Sequence, residues 1–204
     1  RVQVFSCDDG FSFVSKFGKE GDQPGQLQYP EGIAIDHDHD RILVTDSANH
    51  LQSWSLSEQS FLSCARFLAC GDVWFFNPRG ITIDKHHHRI IIADTHNNRL
   101  VFLSSIDLSF LFSIGKPGSR PSEFYMPSGI AIDDDRHRII VADRDNNRLQ
   151  SFTHEGHHIS SFDCGSERPF AVAFDEHRGL IAFSAGHRVH VIGANQWLAD
   201  TKFV

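Results

Sequence analysis

The histidines of this sequence are its best candidates for metal binding, because imidazole and carboxylate are good ligands for divalent ions. The chain contains 14 histidines, many of them in the clusters DHDHD (36–40), KHHHR (85–89) and DDRHR (134–138). Local pairs such as His86 with His88, or His37 with His39, would supply only two ligands. The clusters fall in equivalent turns that we expect to lie too far apart to share one ion. The sequence therefore favours solvated turns and predicts neither a metal site nor a cofactor.

Carboxylates are the other candidates for chemistry, and four aspartates each close a short apolar run such as GIAID. They are Asp36, Asp84, Asp133 and Asp175. Catalysis would need complementary residue types that converge on one point, whereas one residue type recurring at one position favours a turn. The sequence also contains no G-x-S-x-G motif, and no Ser, His and Asp stand out as a set. We therefore predict no catalytic residues, with a lyase or hydrolase as the weaker alternative.

Two nearly identical octapeptides, ADTHNNRL at 93–100 and ADRDNNRL at 142–149, reveal an internal repeat. The longer copies lie at 29–54, 77–103, 126–152 and 168–192, and a partial copy begins the chain at 1–18. Each of the four longer copies has proline as its second residue, and these prolines are 42–49 residues apart. A period in this range is typical of propellers, solenoids and other repeat arrays.

Each copy contains short β-branched runs separated by polar turns, as in GIAID, RIIVAD, NRLQSF and HHISSF. This pattern predicts four short antiparallel strands per copy, and no helical period runs far enough to compete. Radial stacking of such sheets makes a β-propeller. We predict an all-β propeller of about four and a half four-stranded blades. Its predicted boundaries are 1–28 for the partial blade and 29–76, 77–125, 126–167 and 168–204 for the others.

The run Pro-x-Gly-Ile-Ala-Ile-Asp, followed by Arg-Ile-Ile-Val-Ala-Asp and Asn-Asn-Arg-Leu, resembles the NHL repeat. The match is strong at 77–103 and 126–152, good at 29–54 and degenerate at 168–192. The resemblance implies a ring that is usually six-bladed, so we expect further blades before Arg1. It also implies an interaction domain like those of tripartite-motif ubiquitin ligases and translational repressors. Some relatives on this scaffold are enzymes, such as peptide-amidating lyases.

The repeated octapeptide is best explained as a turn. Asp94 and Asp143 stand where a strand ends, and an Asp side chain accepts hydrogen bonds from nearby backbone N–H groups. The two asparagines that follow tolerate the left-handed conformation that such turns often require. Arg99 and Arg148 re-enter the sheet with five donors each, which suits them to a carboxylate or to carbonyl groups at a blade junction. A ligand-binding role for these two arginines is the alternative.

The residue after each proline differs between the copies although the surrounding scaffold is the same. These residues are Glu31, Arg79, Ser128 and Phe170. The NHL resemblance implies that this position lies near the mouth of the central channel, on the face used for binding. The apolar segment at 64–77 adds Trp74 and Phe76, as anchors at the same rim or as packing between blades. Together with Arg99 and Arg148, these residues form the predicted binding site.

The charge of the chain favours protein over nucleic acid as the partner. The 26 acidic residues outnumber the 19 Lys and Arg and leave a formal charge of −7, whereas RNA binding needs a positive field that tracks phosphates. A local patch with Trp74, Phe76 or Tyr125 to stack bases keeps single-stranded RNA as the alternative. The arginines of this patch are Arg79, Arg99, Arg144 and Arg148. We predict a protein partner on the channel rim, and the NHL resemblance implies substrate recognition for a ubiquitin ligase.

Cysteine usage and hydropathy bear on location. The chain has no apolar run of 18 residues, so we expect no membrane span. Its four cysteines are Cys7, Cys64, Cys70 and Cys164. They form no CxxC pair and are too few for a disulfide framework, which favours free thiols and the cytoplasm. Pairing of Cys64 with Cys70 is the alternative.

Overall fold

The computed structural model describes residues 1–8, 10–48, 50–65, 74–194 and Trp197, and its regular structure is mainly β-strand. The described strands form four propeller sheets, named blades 1 to 4 in chain order, and two small two-stranded sheets. Blades 1 to 3 have four strands each, and three strands of blade 4 are described. The predicted all-β propeller with four-stranded antiparallel blades is confirmed.

The strands follow one another in chain order within each antiparallel sheet. Strand β1 (Val2–Phe5) pairs with β2 (Phe13–Phe17), and β3 (Lys19–Glu20) pairs in parallel with β4 (Gln26–Leu27). Blade 1 contains β5 (Pro30–Asp36), β6 (Arg41–Asp46), β7 (His50–Ser55) and β8 (Phe61–Ala65). Blade 2 contains β9 (Pro78–Asp84), β10 (Arg89–Asp94), β11 (Arg99–Ser104) and β12 (Phe110–Ile114). Blade 3 contains β13 (Pro127–Asp133), β14 (Arg138–Asp143), β15 (Arg148–Thr153) and β16 (His158–Asp163). Blade 4 contains β17 (Pro169–Asp175), β18 (Leu180–Ala185) and β19 (Arg188–Gly193).

The second strand of a blade is packed on both of its faces. In blade 2, Ile90 and Ile92 pack in one core cluster with Leu43 of blade 1. Ile91, between them, packs in another cluster with Ile139 of blade 3. Since successive side chains of a strand point to opposite faces, a sheet stacked between two others favours apolar residues at consecutive positions in the middle of this strand. The unbroken RIIIAD and RIIVAD runs arise from this preference.

The first strands of neighbouring blades approach each other very closely at the glycine of the repeated Pro-x-Gly motif. A Cβ atom at Gly80 would lie 2.1 Å from the carbonyl oxygen of Ser128, and one at Gly32 would lie 2.2 Å from that of Arg79. No side chain fits at such distances. Glycine follows the variable residue of the motif because backbones of adjacent blades meet there.

The connections of a blade alternate between two faces, because its successive strands run antiparallel. The loop face carries the leading loop, which precedes the first strand, and the turn between the second and third strands. The opposite face carries the other two turns. On the loop face, blades 2 and 3 form 3-10 turns at Thr95–Asn97 and Arg144–Asn146, which Asn98 and Asn147 close at a left-handed φ of 54° each. Within the described part of the chain, no helix is long and apolar enough to cross a membrane.

Candidate functional site

A buried aspartate fixes the leading loop of blade 2. Asp94 is fully buried, and one carboxylate oxygen accepts a hydrogen bond from the backbone N–H of Phe76 at 2.7 Å. The other oxygen accepts bonds from the Asn97 amide and from Nε of Arg99, both at 2.8 Å. Because Phe76 precedes the first strand and Asp94 ends the second, the aspartate joins the leading loop to the body of the blade.

The same bond, across 18 residues of sequence, occurs in blades 1 and 3. Asp46 accepts the N–H of Gln28 at 2.7 Å, and Asp143 accepts the N–H of Tyr125 at 2.8 Å. Blade 4 has Ala185 at the corresponding register position, where no carboxylate can make this bond. In three blades, therefore, the backbone of the leading loop is fixed while the side chain at this position is free to differ.

Arg99 and Arg148 hold the same loops. Nη2 of Arg99 donates to the carbonyl of Trp74 at 3.0 Å, in addition to its bond with Asp94. Nε of Arg148 pairs with Asp143 at 2.8 Å. Its remaining nitrogens donate to the leading-loop carbonyls of Ser119, Arg120 and Glu123. The structure thus uses both guanidinium groups to position the loop face.

Exposed aromatic side chains collect on the loop face. Tyr29, Trp74, Phe76, Tyr125 and Phe170 are each 42–63% exposed. Phe75, between two of them, is buried and packs in the core between blades 1 and 2. The ring of Phe76 meets the ring of His96 edge-on at 4.7 Å, and it lines an open groove together with Tyr29 and Glu31. The short aromatic segment therefore supplies both a core anchor and exposed rings.

Two of the proline-following residues meet across the blades. The guanidinium carbon of Arg79 lies 5.3 Å from the ring centroid of Phe170, and that of Arg144 lies 5.8 Å from the same ring. These three residues form a cation–π cluster. Ser128 is only 1% exposed, and its hydroxyl donates to the Phe170 carbonyl at 2.8 Å. It links blades 3 and 4 beneath the surface, while Glu31 lies in the groove beside blade 1.

Most arginines of the predicted RNA patch are paired with carboxylates. The pairs are Arg99 with Asp94 and Arg148 with Asp143, both at 2.8 Å, and Arg144 with Asp145 at 3.8 Å. Among the described residues, Arg79 makes no such ion pair. Since phosphate binding depends on positive charge that is not already neutralised, this geometry gives the loop face little attraction for RNA.

The four recurring aspartates lie on the opposite face, where each is the last residue of a first strand. Three of them accept backbone N–H groups of their own turns, from His87, Arg136 and Arg178 at 3.1–3.2 Å. These bonds support a structural role. At Asp84 there is a further partner, His154, which comes from blade 3. The sequence interpretation considered histidine pairs within one turn and missed this one, although His154 occupies the position held by Ser105 in the preceding copy.

The predictions about the cysteines and the apolar segment are only partly covered by the described residues. Cys7 and Cys164 are free cysteines, but Cys70 lies outside the described residues, so the alternative of a bond with Cys64 is not tested. Residues 66–73 of the apolar segment at 64–77 also lie outside them.

Comparisons with known proteins agree with this architecture. A model of the NHL repeat matches residues 27–51, and a family model described as a 6-bladed beta-propeller matches residues 77–164. No curated protein matches the sequence significantly. A crystal structure of a nidogen/laminin complex matches with a TM-score of 0.71 at 17% identity, covering 92% of this chain and 66% of that one. Hydrazine synthase of Kuenenia stuttgartiensis matches with a TM-score of 0.66 at 12% identity, covering 91% and 50%.

These two structural similarities show the fold alone, since sequence identities of 17% and 12% are too low to indicate a shared function. The chain spans about two thirds of the first structure and half of the second. The predicted resemblance to NHL-type propellers is confirmed by the repeat and propeller models.

Proposed function

We propose that this chain, a β-propeller with NHL-type blades, binds a protein partner through its loop face and has no catalytic role of its own. The observation that carries the proposal is the set of exposed aromatic rings whose leading loops are fixed by buried aspartates. Aromatic and arginine side chains are enriched among residues that dominate binding energy. A surface held rigid before binding loses little conformational entropy when the partner docks.

The chemistry of the face indicates what a partner must present. The groove lined by Tyr29, Glu31 and Phe76 suits an apolar side chain with a nearby hydrogen-bond donor. Arg79 has no carboxylate partner among the described residues and lies against the ring of Phe170, so it suits a carboxylate of the partner. A protein segment can carry both features. The negative formal charge of −7 also favours a protein over RNA.

The finer parts of the proposal rest on the NHL resemblance. Tripartite-motif ubiquitin ligases use propellers of this family as interaction domains, so we take the partner to be a substrate that such a ligase would modify, in the cytoplasm. The free cysteines Cys7 and Cys164 are consistent with a reducing compartment. The similar structure of the nidogen/laminin complex supports only the proposal that this chain binds a protein, since that structure is a complex between proteins.

The test is quantitative affinity capture with single-residue variants of the loop face. Phe76→Ser, Tyr125→Ser and Arg79→Gln should each reduce capture of the same partner by at least about tenfold, the size expected for a binding hot spot. Ile106→Ser is the matched control, because Ile106 is 70% exposed in the turn between the third and fourth strands of blade 2, on the opposite face. Each variant would first be checked for an unchanged melting temperature.

Two outcomes would reject the proposal. If the loop-face variants and the Ile106 variant capture the partner equally, the binding surface lies elsewhere. If the purified chain binds labelled single-stranded RNA at near-physiological salt and Arg79→Gln weakens that binding, RNA recognition takes first place. A surface that binds protein alone should show no saturable RNA signal.

A further inference from the structure

Asp84 differs from its counterparts in the charge that faces it. In blade 1, Asp36 is buried and pairs with Arg41 at 2.6 Å. In blade 3, Asp133 is buried and pairs with Arg138 at 2.7 Å. Burying a carboxylate costs free energy, which hydrogen bonds or a nearby positive charge must offset. Among these three buried aspartates, Asp84 is the one whose ion-pair partners in the described chain are imidazoles and not a guanidinium.

The cause is the presence of His154 in blade 3. Arg89, the counterpart of Arg41, donates to the carbonyl of His154 at 2.8 Å, while the imidazole of His154 lies against Asp84. At the preceding blade junction the corresponding residue is Ser105, whose carbonyl also accepts a bond from Arg41. The short serine side chain leaves the neighbouring carboxylate to the arginine. Histidine at this position replaces a permanent cation with a ring that can bind a metal.

Three potential ligand atoms converge at this junction. Nδ1 of His87 lies 2.9 Å from Oδ2 of Asp84, and Nδ1 of His154 lies 2.6 Å from the same oxygen. The two rings are stacked, with centroids 4.4 Å apart and planes inclined at 30°, so both Nδ1 atoms face one carboxylate. One ligand atom from each of the three residues lies within 4.8 Å of the other two. A tetrahedral zinc site, with bonds of about 2.0–2.1 Å, needs ligand atoms roughly 3.3 Å apart.

This group is buried on one side and partly accessible to solvent on the other. Asp84 is 0% and His154 is 2% exposed, whereas the side chain of His87 is 31% exposed. Burial acts to raise the pKa of Asp84, but hydrogen bonds from both histidines outweigh it and leave that pKa below its ordinary value. The partly exposed ring of His87 gives an ion a route from solvent to the buried carboxylate of Asp84.

We propose that Asp84, His87 and His154 bind a divalent transition-metal ion of the zinc type, which ties blade 2 to blade 3 on the opposite face. Two imidazole nitrogens and one carboxylate suit Zn²⁺ and its first-row neighbours, whereas Mg²⁺ and Ca²⁺ prefer oxygen ligands. Coordination through Nδ1 requires the neutral ring with its proton on Nε2. A protonated ring therefore releases its Nδ1 proton to solvent when the ion binds, and a neutral ring moves that proton to Nε2. Three protein ligands leave a further coordination position toward solvent at His87. The site lies away from the loop face and does not depend on the proposed partner.

The test is titration of the chelator-treated full chain with Zn²⁺ by calorimetry and with Co²⁺ by visible absorption. We expect one tight equivalent in the original protein. His87→Ala and His154→Ser should weaken it at least about 100-fold, since even a group that only orients a ligand contributes about 10- to 100-fold. His154→Ser reproduces the natural Ser105. His39→Ala, at the blade 1 counterpart of His87, and His86→Ala, at an exposed histidine of the same turn, are matched controls that should keep the tight equivalent.

Melting temperature gives a second readout, because an ion that binds only the folded state stabilises it. Zn²⁺ should raise the melting temperature of the original protein and both controls but leave that of the two site variants unchanged. The proposal is overturned if the original protein takes up no tight equivalent, or if the site variants bind like the controls. If His154→Ser fails to fold, His87→Ala decides, since its ring is partly exposed and its loss disturbs the core less.

Discussion

Replacing Asp94 by Asn should destabilise the propeller by about 2–3 kcal/mol without changing its shape. Asparagine fills nearly the same volume, so no cavity forms. The substitution replaces a fully buried, charged carboxylate with a neutral amide. In the original protein that carboxylate accepts hydrogen bonds from Phe76, Asn97 and Arg99 at 2.7–2.8 Å. Breaking a buried ion pair on one side costs about 3–5 kcal/mol. The Arg99 side chain is 24% exposed, and its partial rehydration lowers that cost.

Urea unfolding followed by circular dichroism measures this free energy directly. For a chain of this length, the expected loss corresponds to a fall in melting temperature of roughly 4–12 °C. Asp107→Asn is the matched control, because Asp107 is an exposed turn carboxylate of the same blade that accepts the N–H of Ser109 at 3.0 Å. We expect it to leave the free energy of unfolding nearly unchanged. Equal losses in the two variants would refute the view that the buried aspartate stabilises the leading loop.

Three further predictions test other parts of the structure. Burial, helped by nearby carboxylates, raises the pKa of Cys164 to about 12, so iodoacetamide at mildly alkaline pH should modify the exposed Cys7 and spare Cys164, as read by peptide mass spectrometry. Gly80→Ala should lower the melting temperature more than Gly165→Ala, whose Cβ meets nothing within 4 Å and which costs only about 1–2 kcal/mol of left-handed strain. Burial and a nearby arginine lower the pKa of His158 below 6.5, so the folded state favours the neutral ring. The stability that depends on this neutral ring is fully present above pH 6.5 and is lost as the pH falls through the lowered pKa. An NMR titration of the His158 ring would locate that pKa.

The fold could be predicted from the sequence because its determinants are local and repeated four times. The apolar run around Ile90, Ile91 and Ile92 indicates a strand that is packed on both faces, and the polar octapeptide that ends this strand predicts a tight turn. Asn98 closes that turn in the left-handed conformation, as expected for the octapeptide. Asn97 does something else, since it lies in the 3-10 turn and donates to Asp94. Local signals thus give the elements but not the partner of each side chain.

The candidate sites were harder to predict because they depend on contacts between blades. Ser128 and Phe170 occupy equivalent positions in sequence, yet one is 1% and the other 42% exposed. The hydroxyl of Ser128 reaches the carbonyl of Phe170 in the next blade, a contact that the position in the repeat does not reveal. The approach of Arg79 to Phe170 also crosses a whole blade. His154 could be assigned to Asp84 only after the register between two blades was known.

The fourth copy shows that the buried aspartate and the exposed side chain of the leading loop are linked features. Glu167 occupies the position that Phe76 and Tyr125 hold in their blades, but its carboxylate lies 2.6 Å from Nε2 of His190 on β19. With Ala185 in place of the aspartate, the blade has no carboxylate at the end of its second strand to hold the loop backbone. The side chain of Glu167 contacts the blade instead, so His190 engages its carboxylate although the side chain stays 36% exposed. Where the aspartate is kept, the loop is held through its backbone, and the side chain can be an aromatic ring that faces solvent. The repeated aspartate therefore lets a loop with a fixed backbone present a variable residue, as the proposed recognition surface requires.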